Sequence, residues 1–241
     1  MKAYRVHEYG DVAKFIKDEV NKPSAKQGHV VVEVKATSLN PIDHKLLKGD
    51  LGINPALPGI LHMDVTGIIT EVGEGVTNFK MGDEVYGCAG GLQGEAGNIE
   101  GALADFMLAD SNLIALKPKS LSFSESAALP LVTITAWEGL FDRAHIKKED
   151  HVLIHGGTGG VGHIAVQLAR QHGARVATTV SSEDKAKVAR SLGAADIIFY
   201  RDEKVYDYTQ RLTKGKGFDA VFSPPTKKTK TNRELNSKKN A

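Results

Sequence analysis

The chain has 241 residues, 41% hydrophobic and 25% charged, with 31 Lys plus Arg against 29 Asp plus Glu. This suits one large or two modest globular domains and excludes a fibrous, collagenous or wholly disordered chain. The near-balance of charge gives no ground for a nucleic-acid or acidic-membrane partner.

The small basic excess sits at the end. After Ser223, Lys227, Lys228, Lys230, Arg233, Lys238 and Lys239 stand against Glu234 alone, and the body before them is slightly acidic. Without apolar periodicity or aromatic residues, residues 223–241 are expected to be a solvated, disordered tail that reads no nucleic acid. Cys88 is the single cysteine, which excludes an internal disulfide and every cysteine-rich zinc arrangement by count. Met1 to Gly10 lacks the apolar core of a signal peptide, and no stretch approaches the ~20 apolar residues of a membrane span. A soluble, cytoplasmic protein is expected.

In chain order, the first half is strand-like and punctuated by glycine, with His29–Ala36, Gly67–Val72 and Asp83–Gly87 as strands. Residues 90–101 hold five glycines and read as a mobile loop, more simply a surface loop than a lid. Ser122 and Ser124 can cap a helix whose apolar residues run from Ala127 to Phe141, and a domain boundary is placed near residue 120. After Asp150 short apolar runs alternate with helical patterns: strand at His151–His155, helix at Gly160–His172, strand at Arg175–Val180, helix at Glu183–Leu192. Asp196–Tyr200, Val205–Leu212 and Phe218–Phe222 continue as strand, helix, strand. Such alternation predicts βαβ units and a parallel sheet. Four strands fit before Pro224, where a complete doubly wound dinucleotide-binding sheet has six. The expected fold is therefore α/β: a β-rich domain over 1–120, an incomplete Rossmann doubly wound parallel sheet over 121–222, and the tail.

The strongest chemical signal is the run from His155 to Gly162, which places G-x-G-x-x-G at Gly157, Gly159 and Gly162 between a predicted strand and a predicted helix. Gly157 is read as the tight turn, Gly159 as the approach to a pyrophosphate and Gly162 as the close helix–strand contact. No Gly-Lys-Ser or Gly-Lys-Thr closes the loop, so an ATP-binding loop of that kind is excluded. At the end of the second strand stand Ser181 and Ser182, followed by Lys185, where an NAD site would carry an acid. Hydroxyls and a lysine suit a 2′-phosphate, which favours NADP over NAD. Two alternatives stay open: Glu183 as the ribose ligand, and the serines as a helix cap.

Asn40-Pro41-Ile42-Asp43, Gly67 to Gly73, Phe79 to Val85, Ala127 to Pro130 with Thr135-Ala136-Trp137, and Gly156 to Gly162 together resemble the zinc-free quinone oxidoreductases, the zeta-crystallin-like family of the medium-chain dehydrogenase/reductase superfamily. The resemblance runs from Met1 to about Phe222. It implies a GroES-like first domain, a Rossmann second domain, NADPH in the cleft between them, and hydride transfer to a quinone or other conjugated carbonyl. It also implies pyrophosphate contacts at Gly159, Gly160, Val161 and Gly162, 2′-phosphate contacts at Ser181, Lys185 and Tyr200, and a nicotinamide-side role for Thr135.

Asn40 and Asp43 match the motif beside the nicotinamide; as a turn that caps the backbone they are expected to position rather than transfer protons. Zinc-dependent relatives would have cysteine at Asn40 and histidine at Met63, so no metal is expected. His44 and His62, which with Asp64 offer the one remaining donor set, are read as exposed loop histidines. A conjugated acceptor needs less help than a simple ketone, because its incoming charge is delocalised. Two departures stand out: Lys45 replaces a frequent tyrosine, and the likeness stops at Ser223. The competing expectation is thus a truncated, inactive nucleotide- or partner-binding remnant, with a homo-oligomer as one way to supply the missing wall.

Overall fold

A computed structural model describes residues 1–11, 13–94 and 97–224. It divides the chain into two compact units, Met1–Leu131 and Val132–Ala241. The expected disordered tail lies, but for its first two residues, outside the described residues.

The first unit is built on strands β1 (Lys2–Val6), β2 (Phe15–Glu19) and β3 (His29–Thr37), helix α1 (Pro41–Lys48), and strands β4 (Gly59–Ile60), β5 (Asp64–Val72) and β6 (Glu84–Cys88). Then come the short strands β7 (Leu92–Gly94) and β8 (Gly97–Ile99), followed by β9 (Phe106–Asp110), β10 (Ile114–Leu116) and helix α2 (Phe123–Ala127). An antiparallel five-stranded sheet in the order β10-β6-β5-β3-β9 carries the core. Val30, Val32, Val65, Ile69, Val85 and Met107 pack together from it, and each is essentially inaccessible to solvent. A second sheet, β2-β1-β4, encloses a smaller cluster in which Leu46 of α1 meets Val6 and Leu61.

Two expectations are corrected here. The segment 90–101 is not a free loop: β7 and β8 pair as a hairpin, Gln93 N–H donates to the Ile53 carbonyl at 2.8 Å, and Glu100 accepts from Ile60 N–H at 3.0 Å. Glycine-rich composition reads as mobility, but these bonds to distant residues dock it. The two compact units divide after Leu131. Ser122 caps α2 as expected, yet Ser126 and Ala127 are buried and the helix packs on β3 and β5. The single expected helix is also broken, because Pro130 has no N–H to continue one. Helix α3 (Pro130–Trp137) starts there and runs into a π-helical turn at Glu138–Arg143.

The second unit contains β11 (His151–Ile154), α4 (Gly160–His172), β12 (Arg175–Val180), α5 (Glu183–Ser191), β13 (Asp196–Phe199), α6 (Val205–Thr213) and β14 (Ala220–Phe222). These follow the alternation read from the sequence to within one or two residues. The strands form a parallel sheet in the order β13-β12-β11-β14. Alternate residues of the strands face opposite layers. Val152, Ile154 and Val176 pack with Ala165, Val166 and Ala169 of α4 and Ala186 of α5, while Leu153, Ala177 and Ile198 pack with Tyr208 of α6. The helices therefore change face between β13 and β14, which makes the gap beyond the carboxyl ends of β11 and β14 the switch point where doubly wound folds bind ligands.

Candidate functional site

The glycine loop joins β11 to α4 at that switch point. Gly156 takes the left-handed conformation at φ 66°, and its N–H donates to Thr179 Oγ1 at 2.9 Å. This corrects one assignment: the turn residue is Gly156, not Gly157. Gly157 is needed for a different reason, since a Cβ there would lie 2.1 Å from Thr178 Oγ1. At Gly162 a Cβ would lie 2.1 Å from the Gly156 carbonyl oxygen, so the helix start and the turn touch through main chain. Gly159 caps α4 in extended conformation, and a Cβ on Gly160 would meet nothing nearer than Val132 Cγ1 at 3.8 Å. The outer side of the loop is thus open where Gly160, Val161 and Gly162, in the first turn of α4, have N–H groups without an intrahelical acceptor. Those donors and the positive helix end suit a pyrophosphate.

The residues expected to select the cofactor come from neighbouring strand ends. Val180 and Phe199 are directly paired, so Ser181 and Tyr200 leave β12 and β13 side by side. Ser182 is the N-cap of α5, accepting from Lys185 N–H at 3.5 Å, so the cap reading is realised. Lys185 and Tyr200 are exposed. Glu183, the alternative ribose ligand, is held by Arg190 at 2.9 Å. Arg201, which the sequence reading passed over, holds its guanidinium 5.8 Å from the Tyr200 ring centroid, within cation–π range. A basic residue directly after Tyr200 was the available signal. Thr135 is half-buried on α3, one turn on from Val132.

In the first unit, Asn40 and Asp43 belong to a buried polar cluster. Asn40 precedes α1 in extended conformation, and its N–H donates to Asp43 Oδ2 at 2.7 Å. Its side-chain amide does not cap; it donates to Asp64 Oδ2 at 2.8 Å and to Ser38 Oγ at 3.1 Å. Ser38 Oγ donates to Asp64 Oδ2 at 2.5 Å, Leu131 N–H to Asp64 Oδ1 at 2.9 Å, and Thr37 Oγ1 to the Asp64 carbonyl at 2.5 Å. His62 Nδ1 lies 3.5 Å from Thr37 Oγ1. His62 is buried, which corrects its reading as an exposed loop histidine, whereas His44 is exposed. Its apolar flanks, Ile60-Leu61 and Val65, were the sign that the segment runs through the core.

Burial pushes Asp43 and Asp64 above the ordinary carboxylate range, against hydrogen bonds that favour the anions. It pushes His62 below the ordinary histidine range, against attraction to both carboxylates. The Cys88 thiol, paired across the sheet from Asp64, is pushed up to about 12 by burial and then by the two carboxylates, so it stays protonated.

This donor set does not fit zinc: Asn40 uses its amide to donate, and both Asp64 oxygens are occupied. Among the described residues no group of three or more His, Cys, Asp or Glu is arranged to hold a metal ion. No described helix is long and apolar enough to cross a membrane.

Comparison with known proteins agrees with this architecture. Residues 26–119 match the alcohol dehydrogenase GroES-like domain, and residues 160–237 match the family described as zinc-binding dehydrogenase. The second match extends to residue 237, while the relatives cover 92% of the chain, in keeping with a likeness that runs to about Phe222. The chain is 37% identical to 2-methylene-furan-3-one reductase of Solanum lycopersicum over 92% of its own length and 56% of that protein's. It is 36% identical to the chloroplast envelope quinone oxidoreductase homolog of Arabidopsis thaliana, over 92% of this chain and 67% of that one. The crystal structure of Escherichia coli quinone oxidoreductase complexed with NADPH superposes with a TM-score of 0.75 at 30% identity, covering 90% of this chain and 64% of that one. The chain belongs to the quinone oxidoreductase family of the medium-chain dehydrogenase/reductase superfamily. It spans between about half and two thirds of the length of these relatives.

Proposed function

We propose that this protein is an NADPH-dependent, zinc-independent reductase that transfers hydride to a quinone or other conjugated carbonyl. The observation that carries the reading is the arrangement of the second unit's strand ends. An open glycine loop offers N–H donors to a pyrophosphate, and Ser181, Ser182, Lys185 and Tyr200 gather around the ends of β12 and β13, with the nearby acids Glu183 and Asp184 paired with Arg190 and Lys187. A 2′-phosphate meets cations and hydroxyls there instead of a carboxylate. The NADPH complex of the Escherichia coli relative and the reductase names of the plant relatives support the same cofactor and acceptor class. Thr135 would lie toward the nicotinamide, and Asn40 and Asp43 would position groups beside it. NADPH supplies the hydride when bound; a conjugated acceptor spreads the incoming charge, so the donor set that fails to hold zinc is no obstacle. The protein works as a soluble cytoplasmic enzyme on this reading, with a second subunit as the candidate supplier of further wall.

The test is thermal unfolding of the full chain with NADPH or NADH, since a ligand at 100 times its Kd adds about 2.7 kcal/mol. NADPH is expected to raise the melting temperature more than NADH. Lys185→Gln and Arg201→Gln are each expected to weaken NADPH about tenfold, the loss of one charge-assisted contact, and to leave NADH unchanged. Equal shifts from both nucleotides would overturn the 2′-phosphate assignment, and no NADPH oxidation with benzoquinone or an enone would overturn the activity.

A further inference from the structure

The glycine loop is anchored by two consecutive hydroxyls of β12, and one of them is shared with a titratable ring. Thr178 and Thr179 are both buried. Thr178 Oγ1 donates to the Ile154 carbonyl at 2.6 Å and fills the space that a Cβ on Gly157 would need. Thr179 Oγ1 accepts the Gly156 N–H at 2.9 Å, and His155 Nδ1 lies 3.4 Å from the same oxygen. The His155 N–H donates to the Phe222 carbonyl of β14 at 2.9 Å, which fixes the residue by main chain on that side. Gly156 is the left-handed turn residue, and its carbonyl accepts the Gly159 N–H at 2.8 Å, directly before α4. One hydroxyl thus connects the imidazole to the turn that presents the α4 N–H groups.

We propose that His155 is a positioning residue whose proton is linked to dinucleotide binding: a pyrophosphate seated on the loop draws a proton from solvent onto the ring, and affinity rises as pH falls. The inference rests on the NADPH reading above and deepens it. From His155 to Ala169 the chain carries no lysine or arginine, so His155 and His163 are the side chains there that can become cationic. His163 Nδ1 donates to the Gly159 carbonyl at 3.0 Å. His155 Nδ1 meets a hydroxyl instead, which donates to a neutral ring and accepts from a charged one. The oxygen has two acceptor sites, so the Gly156 N–H and an imidazolium Nδ1–H can share it and the turn is kept. In this half-buried position an opposite charge acts on the ring more strongly than it would in water.

The surroundings supply no other anion. β12 contributes the hydroxyls, β14 the Phe222 carbonyl, and α4 has no acid in its first turn. On the α6 layer the titratable group packed with Leu153 is Tyr208, whose phenol is pushed up by burial. Burial alone holds His155 below the ordinary histidine range, and no carboxylate or cation among the described residues acts on it. Without a ligand the ring is neutral at pH 7, and the pyrophosphate is the anion that can charge it.

Two measurements on the full chain test this, with NADP⁺ as the acid-stable form of the dinucleotide. The first follows the His155 ring protons by NMR against pH, with and without saturating NADP⁺, the signal being the one lost in His155→Gln. NADP⁺ is expected to raise the midpoint by on the order of one pH unit. An unmoved midpoint with NADP⁺ bound overturns the linkage and leaves the cofactor reading standing, whereas no NADP⁺ binding at any pH overturns both. The second measures NADP⁺ affinity by calorimetry near pH 5.5 and near pH 7.5, at about one unit either side of the ordinary histidine value. The 2′-phosphate titrates alike in every variant, so a difference between proteins belongs to the altered residue. The gain in affinity toward acid is expected to be about threefold larger in the unaltered protein than in His155→Gln; equal pH dependence overturns the linkage. Thr179→Val, which keeps the shape but removes the hydroxyl, is expected to weaken NADP⁺ about tenfold, and Thr179→Ser to restore it. Unchanged affinity in Thr179→Val overturns the hydroxyl as the link between ring and loop.

Discussion

In the glycine loop the atoms offered to a ligand are main-chain N–H groups of consecutive residues, whereas in the polar cluster of the first unit they are side chains drawn from α1, β3, β5 and the turn before β5. The loop buries no charge: its demands are steric, set by carbonyl and hydroxyl oxygens about 2 Å from where a Cβ would stand at Gly157 and Gly162. The cluster buries two carboxylates and an imidazole, so its geometry and its protonation state are one problem. A site of the first kind fails by clash, and one of the second kind fails by leaving donors or charges unpaired.

The largest effect that separates them is expected from Gly162→Ala. The new methyl would press on the Gly156 carbonyl at 2.1 Å, and both sides of the clash are main chain that cannot turn away. A loss of about 3 kcal/mol in unfolding free energy is expected, with NADPH binding abolished. Gly160→Ala is the control, since its methyl meets only Val132 Cγ1 at 3.8 Å. It should melt like the unaltered protein, and calorimetric scans of the two variants decide whether the loop's glycines act through sterics.

Next in size is Asp64→Asn, which probes the cluster through pairing. An amide keeps one acceptor but sets an NH₂ against Leu131 N–H or against the Asn40 and Ser38 donors, so at least one buried donor loses its partner. About 2 kcal/mol of stability should be lost. Removing the charge also relieves part of what holds the Cys88 thiol up at about 12, so iodoacetamide at mildly alkaline pH should alkylate Cys88 faster in the variant. A stable variant with unchanged thiol reactivity would show that Asp64 is not the hub of the cluster.

The same contrast explains what could be read in advance. The loop and its βα frame are local: apolar runs, helical periodicity and G-x-G-x-x-G lie within one stretch, and β11 to β14 emerged within a residue or two of their expected limits. Even there the division of labour among glycines was not legible, because whether Gly156 or Gly157 carries the turn depends on Thr178 and Thr179 from the next strand. In the first unit the strands were visible but the cluster was not. His62 meets Thr37 only after β3 and β5 have folded together, and its neighbours in sequence say only that it sits in an apolar run. The docked hairpin at residues 92–99 escaped for the same reason, its anchors being Ile53 and Ile60.

The smallest effect concerns a partly buried titrating group beside the loop. His155 follows β11, its Nδ1 lies 3.4 Å from Thr179 Oγ1, and burial alone pushes it below the ordinary histidine range near 6.5. The unfolded chain therefore binds a proton first as pH falls. The stability contributed by the neutral ring is complete above pH 6.5 and drains away as pH drops toward the folded-state value, by at most about 1.4 kcal/mol per pH unit. His62 contributes with the same sign, but Asp43 and Asp64, whose values are raised, favour the folded state as pH falls and so offset it within the first unit. Nothing comparable offsets His155 among the resolved shifts beside the loop. Melting temperatures of His155→Gln and the unaltered protein, compared between about pH 7 and pH 5, should converge toward acid, with the variant's curve the flatter; parallel curves would mean that His155 takes up no proton in that range.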